Sequence, residues 1–507
     1  MSTNKIVFFA LSFAFLNFVD AQTFTWTGSS NSDWTDESNW DDGDGFTVGD
    51  GYPDGSSDAA IIANVSTDPI INASGIVCGA LTIESSGLLT SNNGSYSLTA
   101  TSIEIQSGGQ LAITNGEVQG NGNFTHAGVL TLTGGTLDIN GNYTSSGNVV
   151  ANINGGTIEI GGDWDGTSGS GFDPSGGTVF FNGSAQSIST HASNYFHNLT
   201  FGGATNTKTA GSDLVVNGNL LISSGTLDMA ADANTLDVGG NFTLSGVSFI
   251  PFAGVHDIAG NWDDSGSGNA GFAPAAGKII LSGASSTITT KSDNKFFNLE
   301  INSSGTKTAS TNLDIDGVFT LTAGVFDPGS TSIDIAGNWD DTGNNGGFTP
   351  TAGTITLSGA GSNITTGSDN NFFNLVINSS GVKSAQSELD INGDLTVTDG
   401  ELAMGANNAD VVSGKTVTIA SSKTLSMSSG VFTANGTSDI NGTLSITTTG
   451  KYDADGDFDA TGGTITFGGA GFLEMSGTTT NLGSSFTEGS GTVEYDGTSS
   501  QTIFNTT

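Results

Sequence analysis

Four carboxylates fall on every second residue in Asp453-Ala454-Asp455-Gly456-Asp457-Phe458-Asp459. Oxygen ligands at this spacing open many calcium loops, because calcium is a hard cation that collects carboxylates. The run lacks the downstream glutamate that completes an EF-hand. It also aligns with Asp334-Ile335-Ala336-Gly337-Asn338-Trp339-Asp340, an ordinary turn of this chain. Asp453, Asp455, Asp457 and Asp459 are therefore calcium candidates on one reading and a more acidic copy of a standard turn on the other. Asp41, Asp42, Asp44, Asp50 and Asp54 form a second acidic loop with the same two readings. The glycine-rich nonapeptide series of calcium-binding β-rolls is absent.

Hydrolysis of a glycosidic bond needs carboxylates that converge on one cleft. Asp263-Asp264 and Asp340-Asp341 instead recur in successive blocks, as residues that set a structural register do. Lyases acting on uronates also need cationic groups, and the chain has 10 basic residues, all lysine. His126, His191, His197 and His256 share no spacing and read as solvated or turn residues. Cys78 lies among Ile76, Val77, Ala80 and Leu81 and reads as a small buried hydrophobe. Trp164, Trp262 and Trp339 could form a sugar-stacking ladder, but packing inside a corner fits their place in the repeats better. No residue is assigned a catalytic or cofactor-binding role, and the chain reads as a non-enzyme.

These residues are carried by repeats. Ile335-Ala336-Gly337-Asn338-Trp339-Asp340-Asp341 nearly copies Ile258-Ala259-Gly260-Asn261-Trp262-Asp263-Asp264, and Ile160-Gly161-Gly162-Asp163-Trp164-Asp165-Gly166 is a third version. Each is followed by Phe172, Phe272 or Phe348, then by Pro174, Pro274 or Pro350. Alternating strands are predicted at Thr178 to Phe181, Lys278 to Leu281 and Thr354 to Leu357. Aromatic strands are predicted at Tyr195 to Leu199, Phe296 to Leu299 and Phe372 to Leu375. A lone lysine closes each block, at Lys208, Lys307 and Lys383.

A smaller unit pairs an apolar-Asp-apolar strand with a glycine turn, as in Leu236-Asp237-Val238 before Gly240-Asn241-Phe242. Its glycines at 122, 141, 162, 218, 240, 260, 317, 337 and 393 are separated by 19, 21, 56, 22, 20, 57, 20 and 56 residues. Gaps near 20 read as one coil, and gaps near 56 as almost three coils with longer turns. The spacing is least regular between 393 and 442. Period-two alternation puts every second side chain on one face. Strands this short must pair with their equivalents in the next coil. An all-β fold follows: a right-handed parallel β-helix with coils of about 20 residues, with tandem β-sandwich repeats as the alternative.

Export is written at the N-terminus. Lys5 and the apolar run Ile6 to Val19, followed by Val19-Asp20-Ala21, read as a signal peptide over residues 1–21. Residues 22–75, with Trp26, Trp34 and Trp40, read as an N-terminal cap, and 76–507 as the repetitive solenoid. Gly491 to Tyr495 restarts a block that stops at Thr507, which suggests a segment of a longer protein. A formal charge of −40 disfavours nucleic acid. No run after the leader is long enough to insert in a membrane. Divalent cations, possible calcium above all, and glycans or cell-surface components are the partners left; the oligomeric state is not legible.

Phe24 to Trp40, Gly353-Thr354-Ile355-Thr356-Leu357 and Phe372-Phe373-Asn374-Leu375-Val376-Ile377 give the chain a family likeness. It resembles the secreted repetitive adhesins and autotransporter passengers of Bacteroidota-type bacteria, with pectin-lyase-like β-helix folds. The resemblance spans nearly the whole mature chain. It implies deployment at the cell surface as a structural or adhesive stalk, with a polysaccharide-binding or polysaccharide-degrading β-helix as the other function it allows.

Overall fold

The computed structural model describes residues 21–44, 51–203, 205–231, 233–483, 485–487 and 489–504. The leader apart from Ala21, and Asp50 of the acidic loop, lie outside them. The chain is a β-solenoid of about 21 turns. One coil shows the plan: Thr136–Ile139, Tyr143–Asn148 and Val150–Ile153 form its three sides, and Thr157–Ile160 then lies on Thr136–Ile139. Pairing between coils is parallel, with residues about 20 apart side by side, as in Ile158↔Leu137 and Ile158↔Val179. At ~4.8 Å per coil the rod is on the order of 100 Å long. Among the described residues the one antiparallel pair is Thr25↔Asp41 and Trp26↔Trp40. Tandem sandwiches, which are built on antiparallel sheets, are excluded.

Alternation decides which side chains enter the rod. In Thr157–Ile160, Ile158 and Ile160 are buried while Thr157 and Glu159 face outward. Ile158 stands in a column with Leu137 below and Val179 and Leu199 above. Full burial of such a side chain contributes about 1.5–3 kcal/mol, and columns of this kind run through the length of the molecule. The strands predicted at 178–181, 278–281 and 354–357 appear with those bounds. The aromatic strands begin later than expected: Phe196, Phe296 and Phe372 make single bridges, and pairing proper starts at Asn198, Asn298 and Asn374.

The glycine-asparagine-aromatic unit has a physical basis in each residue. Glycine is needed because the corners of successive coils nearly touch: a Cβ on Gly337 would sit 2.1 Å from the Gly317 carbonyl oxygen. Asparagine builds a ladder. The Asn241 N–H donates to Asn219 Oδ1, and the Asn261 N–H to Asn241 Oδ1, each at 2.9 Å. The aromatic turns inward, so that Trp262 stacks on Phe242 with centroids 4.4 Å apart.

The long gaps are not a whole number of coils. With three sides per coil, a step of 56 is two coils and two further sides, and the unit moves to a different side of the rod. Trp164 lies in the column Phe124–Tyr143–Trp164–Ile188. Trp262 lies in Leu199–Leu220–Phe242–Trp262, and Trp339 in Ile279–Leu299–Phe319–Trp339. Between 393 and 442 the coils are regular, with Leu395↔Val417 and Val417↔Ser438. Near the N-terminus, Thr23–Trp26 joins the same parallel stack through Phe24↔Ala60. Trp40 packs edge-on against Trp26 and Trp34 at 5.1 and 4.7 Å, and all three indoles are buried.

Candidate functional site

The three repeat tryptophans are buried and on three different sides, so they form no ladder that a sugar chain could follow. Each is the centre of an aromatic node. Trp262 meets Phe272 and Phe296 at 4.7 and 5.1 Å, and Trp339 meets Phe348 and Phe372 at 4.6 and 5.1 Å. Beside Trp262 and Trp339 lies a buried aspartate. Asp264 Oδ2 and Asp341 Oδ2 accept the indole N–H of Trp262 and Trp339 at 3.0 Å, and their Oδ1 atoms accept the N–H of Lys291 and Gly367. Burial raises both carboxyls above the ordinary aspartate value. The first block has Gly166 in this place, and Trp164 Nε1 is a buried donor without a partner. The second aspartate of each repeated pair thus caps an indole inside the rod.

The candidate calcium residues are not brought together. Asp453 pairs with Lys451 at 2.9 Å, and the same ammonium reaches Glu474. Asp455 accepts from Ser476 Oγ at 3.1 Å. Asp457 Oδ1 accepts the Thr479 N–H at 2.8 Å, taking the ladder place that Asn338 fills for Asn363. Asp459 accepts the Thr461 N–H two residues on, as Asp340 does from Thr342. Asp41 and Asp42 likewise accept from Gly43 and Asp44. Among the described residues no group of three or more Asp, Glu, His or Cys is placed to hold a metal ion.

The histidines depart from the solvated reading in two cases. His126 and His256 are buried. His126 Nδ1 shares a hydrogen bond with the Tyr143 hydroxyl at 2.9 Å, its Nε2 has no partner, and burial pushes it down to about 4. His256 accepts the Leu236 N–H on Nδ1 and donates from Nε2 to the Pro251 carbonyl, which fixes it as a neutral ring. Cys78 is buried as expected, and burial pushes the thiol up to about 12. The block-closing lysines also point inward, which their alternation could have signalled. Lys307 Nζ donates to the Ala259 carbonyl at 3.0 Å and Ser286 Oγ at 2.8 Å, and Lys383 reaches Ala336 and Ser362 in the same way. Burial lowers both to about 8.

One concavity stands apart from this regular surface. It is a groove of about 570 Å³ between the turn Ile250-Pro251-Phe252 and the segment Ala270 to Ala276. Its side chains are apolar apart from Ser248, and none ionises. Ile250 and Phe252 are each 40% exposed, and Val247 and Val255 continue the apolar band on either side. The next block shows what is unusual here. Thirteen residues before its tryptophan it has Phe326, followed by Asp327-Pro328-Gly329, where this block has Phe249 and then Ile250-Pro251-Phe252. Gly329 has φ +57°, and Phe252 takes the same left-handed backbone at φ +53°. Ala270 at φ +50° stands where the next block has Gly346 at φ +75°. Left-handed backbone costs a non-glycine residue about 1–2 kcal/mol. Strain held in place by its surroundings gathers at functional sites. The sequence reading missed this groove, although the contrast of Ile-Pro-Phe with Asp-Pro-Gly was visible.

The uninterrupted parallel stack makes this a protein of the β-solenoid class, consistent with a pectin-lyase-like fold. No family model, curated protein or solved structure matches the chain.

Proposed function

We propose that the chain is an extracellular structural or adhesive rod that holds a binding surface away from a cell, as in the secreted repetitive proteins its sequence resembles. The observation that supports this most is the spread of its acidic groups. Carboxylates recur as stacked outer pairs, Asp237↔Asp257, Asp314↔Asp334 and Asp390↔Asp410, at intervals along the rod. Such a surface keeps a long rod soluble and separate from its neighbours. The stacked core gives it stiffness without disulfides, Cys78 being the single cysteine.

The test is retention of purified Gln22–Thr507 on immobilised glycans, with calcium and with chelator, beside a scattering measurement of its length. A rod on the order of 100 Å that is held by one glycan class supports an adhesive role. A rod held by none, with or without calcium, removes the glycan-adhesive half and leaves a spacer. A compact particle refutes the reading altogether.

A further inference from the structure

We infer that the groove beside Phe252 is a docking site for a cationic peptide segment carrying an aliphatic or aromatic side chain. This names a partner class for the display role proposed above and rests on it. The apolar half of the argument is the local rewriting of a repeat. Ile250 replaces an aspartate and Phe252 and Ala270 replace glycines at positions whose backbone favours glycine, and the outcome is an exposed apolar band around a groove of about 570 Å³. Volumes of this order take a side chain or small ligand with most of its surface buried, and an aromatic or aliphatic anchor in such a pocket supplies much of the affinity of an interface.

The charge half decides what surrounds that anchor. Asp228 lies directly beneath Ile250 in register, and the stacked pair Asp237↔Asp257 follows Val255 on the adjoining strand. The cations nearby are engaged. Lys278, beside Val255, is paired with Glu300 at 2.6 Å, and Lys291 donates to the Ser267 carbonyl and Asn269 Oδ1. With a formal charge of −40 on the chain, a second copy, an anionic lipid surface or an acidic glycan would be repelled. A basic segment would be drawn in and then held by its apolar side chain.

The probe is a fluorescein-labelled hexapeptide alternating lysine with leucine and tryptophan, titrated with full-length rod and read by anisotropy at low salt. Two controls exchange its lysines for glutamate or its apolar residues for serine. The test variant is the double substitution Ile250→Asp with Phe252→Gly, which reproduces the Asp327-Pro328-Gly329 turn that the fold already holds one block later. The expected result is saturable binding of the first peptide alone, weakened on the order of tenfold in the double variant and by added salt. Equal binding by the serine peptide would reduce the effect to charge and overturn the site. So would unchanged affinity in the variant, binding of the glutamate peptide, or no binding. Each of these leaves the rod measured above intact, so failure here is distinguishable from failure of the display reading.

Discussion

Acidifying the solution should weaken the rod at a nameable atom, the unpartnered Nε2 of His126. The imidazole lies between Phe124 and Tyr143, with ring centroids about 6.0 and 6.1 Å away, and its Nδ1 is engaged by the tyrosine hydroxyl. A second proton would place a full charge in this apolar column, and the Gly128 backbone beside the ring offsets only part of that cost. The folded value is therefore near 4, against 6.5 for an ordinary histidine. Because the folded value is depressed, the stability is fully present above pH 6.5 and is lost as pH falls through 4. Proton linkage across that gap gives a loss of about 3 kcal/mol by pH 4. The assay is urea unfolding from pH 7.5 to 4 for the native chain and for His126→Ile, which copies Ile105 in the register position one coil below. Other titrating groups act on both proteins and cancel in the difference. The native chain should lose about 3 kcal/mol more than the variant. Parallel curves, within about 0.5 kcal/mol, would refute the claim that His126 is held neutral by burial.

Four other perturbations test separate parts of the structure. Gly337→Ala must push apart two corners that leave 2.1 Å for its Cβ, and should destabilise by about 1–3 kcal/mol in thermal melts. Gly346→Ala, whose Cβ meets nothing within 4 Å, should cost only the left-handed strain of about 1–2 kcal/mol. Asp341→Leu strips acceptors from the buried Trp339 indole and the Gly367 N–H, and should cost about 2–4 kcal/mol in urea unfolding; a cost near zero would mean the carboxylate is not what holds that node. Lys307 and Lys383, lowered to about 8, bind their protons less tightly folded than unfolded. Folding stability should rise between pH 8 and the ordinary lysine value of 10.5, and Lys307→Met with Lys383→Met should flatten that rise in the same assay.

Much of the architecture is local and was open to reading. Alternation in Thr178–Phe181 or Thr354–Leu357 states which side chains are buried, because a strand has only two faces. The recurring Gly-Asn-aromatic unit announces a corner, since glycine, an amide and an inward ring each answer a need that every coil repeats. What lies in the sequence alone is thus the coil and its chemistry: parallel strands, an acidic exterior and an apolar interior.

The tertiary structure decided what depends on summed lengths and on residues one coil away. The step of 56 looked like nearly three coils, and only pairing showed that it shifts the unit to another side, which scatters the tryptophans. Lys307 and Lys383 looked like block ends, but carbonyls 48 and 47 residues earlier accept their ammonium groups inside the rod. Asp453 to Asp459 look convergent along the chain, yet each is engaged by a partner of its own: Lys451, Ser476, Thr479 and Thr461. The groove at Phe252 exists because two segments some twenty residues apart are stacked on one another. In a solenoid the sequence writes each coil, and the register between coils, set by backbone pairing across that distance, determines which groups meet.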